Sequence, residues 1–291
     1  MKRFSELTYK KQQTVVSILF LFVPLLLILV LGYLPIINMV GYSFTKWDGL
    51  SAKQFIGLDN YVELFSRPEN FGVFFVSIYY FFGSFIQLGL ALMFATLLSF
   101  RLKGQNFFKG VLFFPNLING VAIGFIFLYF YRDTGTLNTF LRALGFNADI
   151  LWLTNPDLIN YSLAATSIWR YMGFNMIMFL GAMQSISGEI YEAADLDGAS
   201  RFQLFRFIIF PSIKPIIKLN LILSIKGALS VFEIPYIMTA GGNGSSTFVN
   251  RTMDTAFKFS KIGLASAMAV VLTIIILLLT AVQEKAFKEK E

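Results

Sequence analysis

The chain has 291 residues; 56% are hydrophobic, only 14% are charged, and Cys and His are absent. Its mean hydropathy is +0.67, whereas a soluble domain carries about 25% charge, and the missing residue types exclude disulfides, thiolate or imidazole metal sites and His-based triads. The net charge of +7 fits basic residues gathered on the cytoplasmic side of a membrane rather than a nucleic-acid surface, of which no module is visible.

A transmembrane helix needs about 20 mainly apolar residues, and the chain offers such segments in order. Lys2, Arg3, Lys10 and Lys11 precede an uncharged run from Gln12 to Thr45. That run exceeds the roughly 7–15 apolar residues of a signal core. It is read as a retained first span, Val15–Tyr42, bent rather than ended by Pro24 and Pro35. Phe71–Phe100 and Gly110–Tyr131 follow, both free of charge, then Ile159–Gln184 with Arg170 as its one charge. Ile213–Ile237 is the least apolar and Ile262–Gln283 the last. The expectation is an all-α membrane protein of six transmembrane helices, with a cytoplasmic N-terminus over residues 1–14 and one transmembrane domain over 15–291.

The linkers alternate in charge. The N-terminus, Arg101–Lys109, Ser185–Pro211 and the tail from Glu284 hold more Lys and Arg, among them Arg101, Lys103, Arg201, Arg206, Lys288 and Lys290, than do Ser43–Asn70, Arg132–Leu158 and Met238–Lys261. The positive-inside rule then puts both termini in the cytoplasm. Tyr42, Trp47, Trp152 and Trp169 either anchor at the membrane interface or are ordinary packing aromatics.

The Ser185–Pro211 linker carries the strongest local pattern. Glu189 and Glu192 follow a candidate cap at Ser187, where carboxylates suit the helix dipole. Ala193 and Ala194 are strong helix formers with minimal side chains. Asp197-Gly198 is a turn or C-cap signal, and Ser200 with Gln203 fits a capping box. Two short helices joined by a Gly turn are predicted on the inner membrane face, the second giving way to the fifth span around Pro211 and Pro215. Small and acidic residues together suit close docking against another protein; an ordinary interfacial amphipathic helix is the alternative.

This segment resembles the EAA loop of the permeases of binding-protein-dependent ABC importers. Glu192-Ala193-Ala194, Gly198, Ile208 and Phe210-Pro211 stand at that family's spacing, with Phe210 where Leu is usual. Gly57-Leu58-Asp59-Asn60-Tyr61, Phe113-Phe114-Pro115-Asn116, Met238-Thr239-Ala240-Gly241-Gly242 with Ser246-Thr247, and Gly263-Leu264-Ala265-Ser266-Ala267 are similar to stretches of the sugar-permease branch. Ala240 and Asn243-Gly244 depart from its Gly run. The resemblance implies a type I ABC importer permease in a bacterial cytoplasmic membrane. It implies a second homologous permease, two cytoplasmic ABC ATPases that hold the ATP and Mg, and an extracytoplasmic solute-binding protein that delivers a sugar. No Gly-x-x-x-x-Gly-Lys-Ser/Thr loop is present, so the ATP chemistry is expected outside this chain. The resemblance further implies that Ser185–Pro211 couples to the ATPase. Glu192 is then a polar contact or a cap, Ala193 and Ala194 permit close approach, and Gly198 sets the turn. Asp195 and Asp197 are contacts or solubilising surface, and Arg201 pairs with an ATPase carboxylate or is an inner-side surface charge.

Polar side chains inside spans usually face a bundle interior or water. Candidates for the solute path are Gln87, Asn116, Asn119, Tyr171, Asn175, Asn220, Ser224, Lys226, Ser230, Glu233 and Tyr236, with Tyr79 and Tyr80 weaker. Lys226 and Glu233, seven apart, would share a helix face, as a pore network or a structural pair, unless Glu233 reaches outer water. Rival readings are a permease for glycerol phosphate or another polar solute, an ion-coupled secondary transporter, and a membrane scaffold or receptor.

Overall fold

Apolar patterning builds a helix at each expected segment, but the helices are not six alike. The computed structural model describes residues 8–100, 103–147 and 149–287; Lys2, Arg3, Arg101, Lys288 and Lys290 of the charge argument lie outside them. α1 (Tyr9–Ser43) is α-helical through Pro24, π-helical over Ile28–Tyr33 and α-helical again to Ser43. The wider π turn lies just ahead of Pro35, whose ring and missing N–H disturb the carbonyls of the preceding turn. β1 (Thr45–Lys46) and β2 (Gln54–Phe55) pair antiparallel, a small departure from the all-α expectation. α2 (Asp59–Phe65) follows. Asn60 Nδ2 donates to the carbonyl oxygens of Ser43 (2.8 Å) and Thr45 (2.9 Å), and the Tyr61 and Ser43 hydroxyls share a hydrogen bond of 2.7 Å. The Gly57–Tyr61 stretch thus fastens the end of α1.

α3 (Glu69–Gly72) leads into α4 (Phe74–Ser99). The third expected span, Gly110–Tyr131, is not one helix. α5 (Gln105–Leu117) and α6 (Gly120–Phe130) meet at a bend of 98°. Ile118 and Asn119 leave the helical conformation there, and Asn119 Oδ1 caps α6 by accepting the Val121 N–H at 2.9 Å. α7 (Thr136–Ala143) precedes α8 (Pro156–Gln184), whose 29 residues start at an Asn155 cap. At about 1.5 Å per residue α8 is long enough to cross a bilayer, but Asn160, Ser162, Thr166, Ser167 and Asn175 are buried on it.

α9 (Gly188–Leu196) and α10 (Arg201–Leu204) form the predicted pair of short helices. The expected boundary at Pro211 is absent. A π-helical stretch, Phe205–Ile209, carries α10 straight into α11 (Phe210–Leu229), again just ahead of a proline. The fifth expected span instead breaks after Leu229, and α12 (Glu233–Thr239) restarts it. Pro235 supplies the reason: it lacks the N–H that would bond the Val231 carbonyl, and its ring would strike that carbonyl. Thr247 Oγ1 donates to the freed Val231 oxygen at 2.9 Å. α13 (Phe248–Met253) and α14 (Ile262–Phe287) complete the chain. Among the described residues, four helices are long and apolar enough to span a membrane: Tyr9–Ser43, Glu69–Ser99, Arg201–Thr239 and Ile262–Phe287. The bent α5–α6 pair makes five if counted as one span. The missing sixth is α8: expected as a mainly apolar segment with Arg170 as its one charge, it falls short in apolarity.

The chain divides into two compact units, Met1–Ser66 with Asp254–Val271, and Arg67–Met253 with Leu272–Glu291. In the first, Gly263 lies so close to the Thr45 carbonyl oxygen that a Cβ would overlap it. In the second, α8 packs against α4, α5, α11 and α12. One core joins Leu88, Ala91, Met176, Phe179, Ala194, Leu204 and Ile213; another joins Val76, Tyr80, Ile159, Leu163, Ala228 and Ile234. Gly173 of α8 sits where a Cβ would fall 1.9 Å from the Leu112 oxygen of α5, whereas Gly181 has nothing within 4 Å.

Two substitutions test this packing. Gly173→Ala should destabilise the protein by about 1–3 kcal/mol through overpacking, with Gly181→Ala close to neutral, as read by thermal unfolding in detergent. Ala240 ends α12 at φ +49, a conformation costly for any residue with a Cβ. Ala240→Gly should therefore raise the melting temperature by the equivalent of about 1 kcal/mol.

Candidate functional site

The breaks and the polar face of α8 converge on a cavity of about 560 Å³. α4 contributes Tyr80, Ser84 and Gln87; α8 contributes Ser167, Arg170, Tyr171, Phe174 and Asn175. Leu223, Ser224, Gly227 and Ala228 of α11, Ser230, Val231 and Phe232 of the break, and Glu233 and Ile234 of α12 close the wall. Arg170 Nη1 donates to Glu233 Oε2 at 2.7 Å. The Arg170 side chain is 12% exposed and that of Glu233 49%. Gly120, at the start of α6, abuts both: its Cβ would fall 1.7 Å from Glu233 Oε2 and 2.6 Å from Arg170 Nη1. Gly124, one turn on, meets Ile237 in the same way. A Gly-x-x-x-Gly face on α6 thus lets α12 approach closely.

From the cavity wall a chain of amides runs inward. Gln87 Nε2 donates to Asn175 Oδ1 at 2.6 Å, Asn175 Nδ2 donates to Asn220 Oδ1 at 2.6 Å, and Asn220 Nδ2 donates to the Ile216 carbonyl at 2.8 Å. Three helices, α4, α8 and α11, are thereby tied by side chains that are all buried. Among the described residues, the wall has polar atoms buried without a hydrogen-bond partner: Tyr80 Oη, Ser167 Oγ and Arg170 Nε. Such atoms are costly unless something polar meets them.

Of the path candidates, Gln87, Tyr171, Asn175, Ser224, Ser230 and Glu233 line this cavity, and Asn220 stands behind Asn175. Asn116, Asn119, Lys226 and Tyr236 do not line it. Asn119 is a helix cap, and Tyr236 stacks on Phe232 with ring centroids 4.9 Å apart. Lys226 and Glu233 do not share a helix face as expected, because the break at Ser230–Phe232 puts them on different helices. Of the weaker candidates, Tyr80 is on the wall, while Tyr79 packs edge-on against Tyr161. Arg170 and Gly120 are not among the path candidates that polarity within the spans picks out. Arg170 is the one charge of the fourth segment and Glu233 the one acid of the fifth, and opposite charges inside spans tend to pair. That rule would have joined them.

The α9–turn–α10 segment forms a second, separate cleft of about 550 Å³. Gly198 makes the turn at φ +74. The capping box of Ser200 and Gln203 is present in both directions. Ser187 occupies the cap of α9, but its side chain makes no cap bond. Ala194 is buried in the core, and both it and Ala193 line the cleft with Glu189, Asp197 and Gly198. Glu192, Asp195 and Arg201 are exposed, the last with its guanidinium 4.8 Å from the Phe100 ring. Tyr191 donates to the Met183 carbonyl at 3.2 Å, and burial raises its pKa.

Comparison with known proteins decides the family. The model of the inner membrane component of binding-protein-dependent transport systems matches residues 87–287. The chain belongs to that family. This permease is 36% identical over 285 residues to the probable ABC transporter permease YurN of Bacillus subtilis, covering 95% of this chain and 97% of that one. It is 31% identical over 281 residues to MsmF, a multiple sugar-binding transport system permease of Streptococcus mutans, with 94% and 95% covered. The crystal structure of a bacterial alginate ABC transporter with its pentasaccharide-bound periplasmic protein contains a chain of the same fold. The TM-score is 0.82 at 20% identity, over 95% of the permease and 94% of that chain.

The amide chain gives a test of the site. Asn175→Leu strands Gln87 and Asn220 as buried groups, each costing about 1–3 kcal/mol. The variant should unfold at clearly lower temperature in detergent, and Asn175→Gln, which keeps both a donor and an acceptor at that position, should lose less.

Proposed function

We propose that this permease forms one half of the pore of an ATP-driven importer for oligosaccharides. Membership of the binding-protein-dependent transport family carries the importer reading. The similarity to MsmF favours sugars, and so does the cavity wall, where hydroxyls and amides alternate with the rings of Tyr171, Phe174 and Phe232. Concave sites with a few placed polar groups among aromatic faces suit a polyhydroxylated ligand.

In this reading α8 and the bent α5–α6 pair each count as a span, giving six with both termini in the cytoplasm. α8 tolerates its polar residues because its neighbours, not lipid, surround them. A second, homologous permease supplies the other half of the pore in the cytoplasmic membrane. Two ABC ATPases bind ATP and Mg below it, and a solute-binding protein loads sugar from outside. The cleft between α9 and α10 is the coupling site. Ala193 gives close approach for the ATPase, with Glu192, Asp195, Asp197 and Arg201 as polar contacts around it. Ala194, which lines the same cleft, permits close approach too and also holds α9 against the core.

Gly198→Val tests this function. No atom lies within 4 Å of a Cβ at Gly198, so the change acts through the left-handed backbone alone. The variant should insert and assemble normally, yet lose transport-coupled ATP hydrolysis by about 5–150-fold, the usual range of a coupling energy. Parent-level hydrolysis and uptake in reconstituted vesicles would refute the coupling assignment.

A further inference from the structure

The cavity's charge has a consequence for what it accepts. Among the described residues, Arg170 and Glu233 are the charged ones lining it; Arg170 Nη1 is held by Glu233 at 2.7 Å, and Arg170 Nε has no hydrogen-bond partner. The two are unequally placed. Arg170 is nearly enclosed at 12% exposure, whereas Glu233 is half open at 49%. Glu233 sits in the first turn of α12, a position the helix dipole favours for a carboxylate. Gly120 closes against the pair from α6, leaving no room for even a methyl group, so the carboxylate is confined beside the guanidinium.

Building on the oligosaccharide reading, we propose that Glu233 is a charge filter: by occupying Arg170 and presenting its own carboxylate to the cavity, it reserves the site for uncharged saccharides and rejects acidic ones. A uronate or sugar phosphate in the cavity faces the Glu233 carboxylate, and the guanidinium that could bind it is already engaged through Nη1. Removing the Glu233 carboxylate leaves the charge of the nearly enclosed Arg170 uncompensated. Without the Glu233 carboxylate, Arg170 becomes a planar donor of the kind that binds carboxylates bidentately. The remaining wall is neutral: the unpartnered Tyr80 Oη and Ser167 Oγ, with Ser84, Ser224 and Ser230 of the lining, serve sugar hydroxyls irrespective of charge. Selectivity of this kind rests on a repulsive element as much as on an attractive one.

The test is direct binding, without the solute-binding protein and its own specificity. The full complex, co-purified in lipid nanodiscs, is equilibrated with radiolabelled maltotriose or trigalacturonate, probes of matched length and opposite charge character. The parent should prefer maltotriose by at least about tenfold, an ordinary margin for one unfavourable charge contact. Glu233→Gln should bring the ratio to unity or invert it, and Glu233→Asp, which keeps the charge, should restore it. Arg170→Gln should weaken trigalacturonate further while changing maltotriose only a few-fold, an independent check should Glu233→Gln fail to assemble. A merely structural ion pair predicts that the variants lower both affinities together with the ratio unchanged. That result, or equal binding of both probes by the parent, overturns the filter. Binding of neither probe overturns the oligosaccharide reading and the filter with it.

Discussion

A backbone in lipid has no water to turn to, so every helix that stops inside the membrane must have its loose polar groups satisfied by protein. The second unit of this permease is organised by that constraint. Asn119 takes up the free N–H where α6 begins, and Thr247 gives its hydroxyl to the Val231 carbonyl that Pro235 releases. Both interruptions have paid partners, and both border Glu233, one through Gly120 and the other through the start of α12. The ion pair with Arg170 exists because two helices end where they do.

The same constraint explains the character of α8. It is the poorest of the long helices as a lipid-facing segment and the most heavily buried, with polar side chains directed into the bundle. Its amides close a chain from α4 through Asn175 to α11, and Gly173 lets α5 approach to backbone contact. Without a hydrophobic force between helices in a bilayer, small residues and hydrogen bonds are what hold them. The cavity is the space left where the hydrogen-bonded part of the bundle gives way to the broken part.

The long apolar runs, the short helix pair and its capping box were legible in the sequence because each rests on local chemistry: periodicity, a Gly turn, a Ser with a Gln three residues on. The breaks were harder. Pro235 stood in the sequence as a reason for α12 to restart, but Pro24, Pro211 and Pro215 stood there too, and helix continues through all three. What separates them is a partner distant in the chain, Thr247, which no local pattern announces. The bend at Ile118–Asn119 has a comparable origin in Gly120 and its contact with Glu233. Lys226 and Glu233 were matched by spacing alone, and spacing ceases to mean anything across a break. Asn220 was selected for the cavity and lies behind it, because polarity shows that a residue avoids lipid and not which interior surface it takes.

The uninterrupted passage from α10 through Phe205–Ile209 into α11 has a mechanical meaning. Prolines at such a place commonly introduce a joint; here the π turn absorbs the misfit, and the chain stays a single lever from the Ser200 cap to Leu229. A lever with no elbow cannot dissipate displacement along its length. Motion imposed at the Ser200 end is delivered at the Leu229 end, where the helix gives way to the three-residue gap beside the cavity wall.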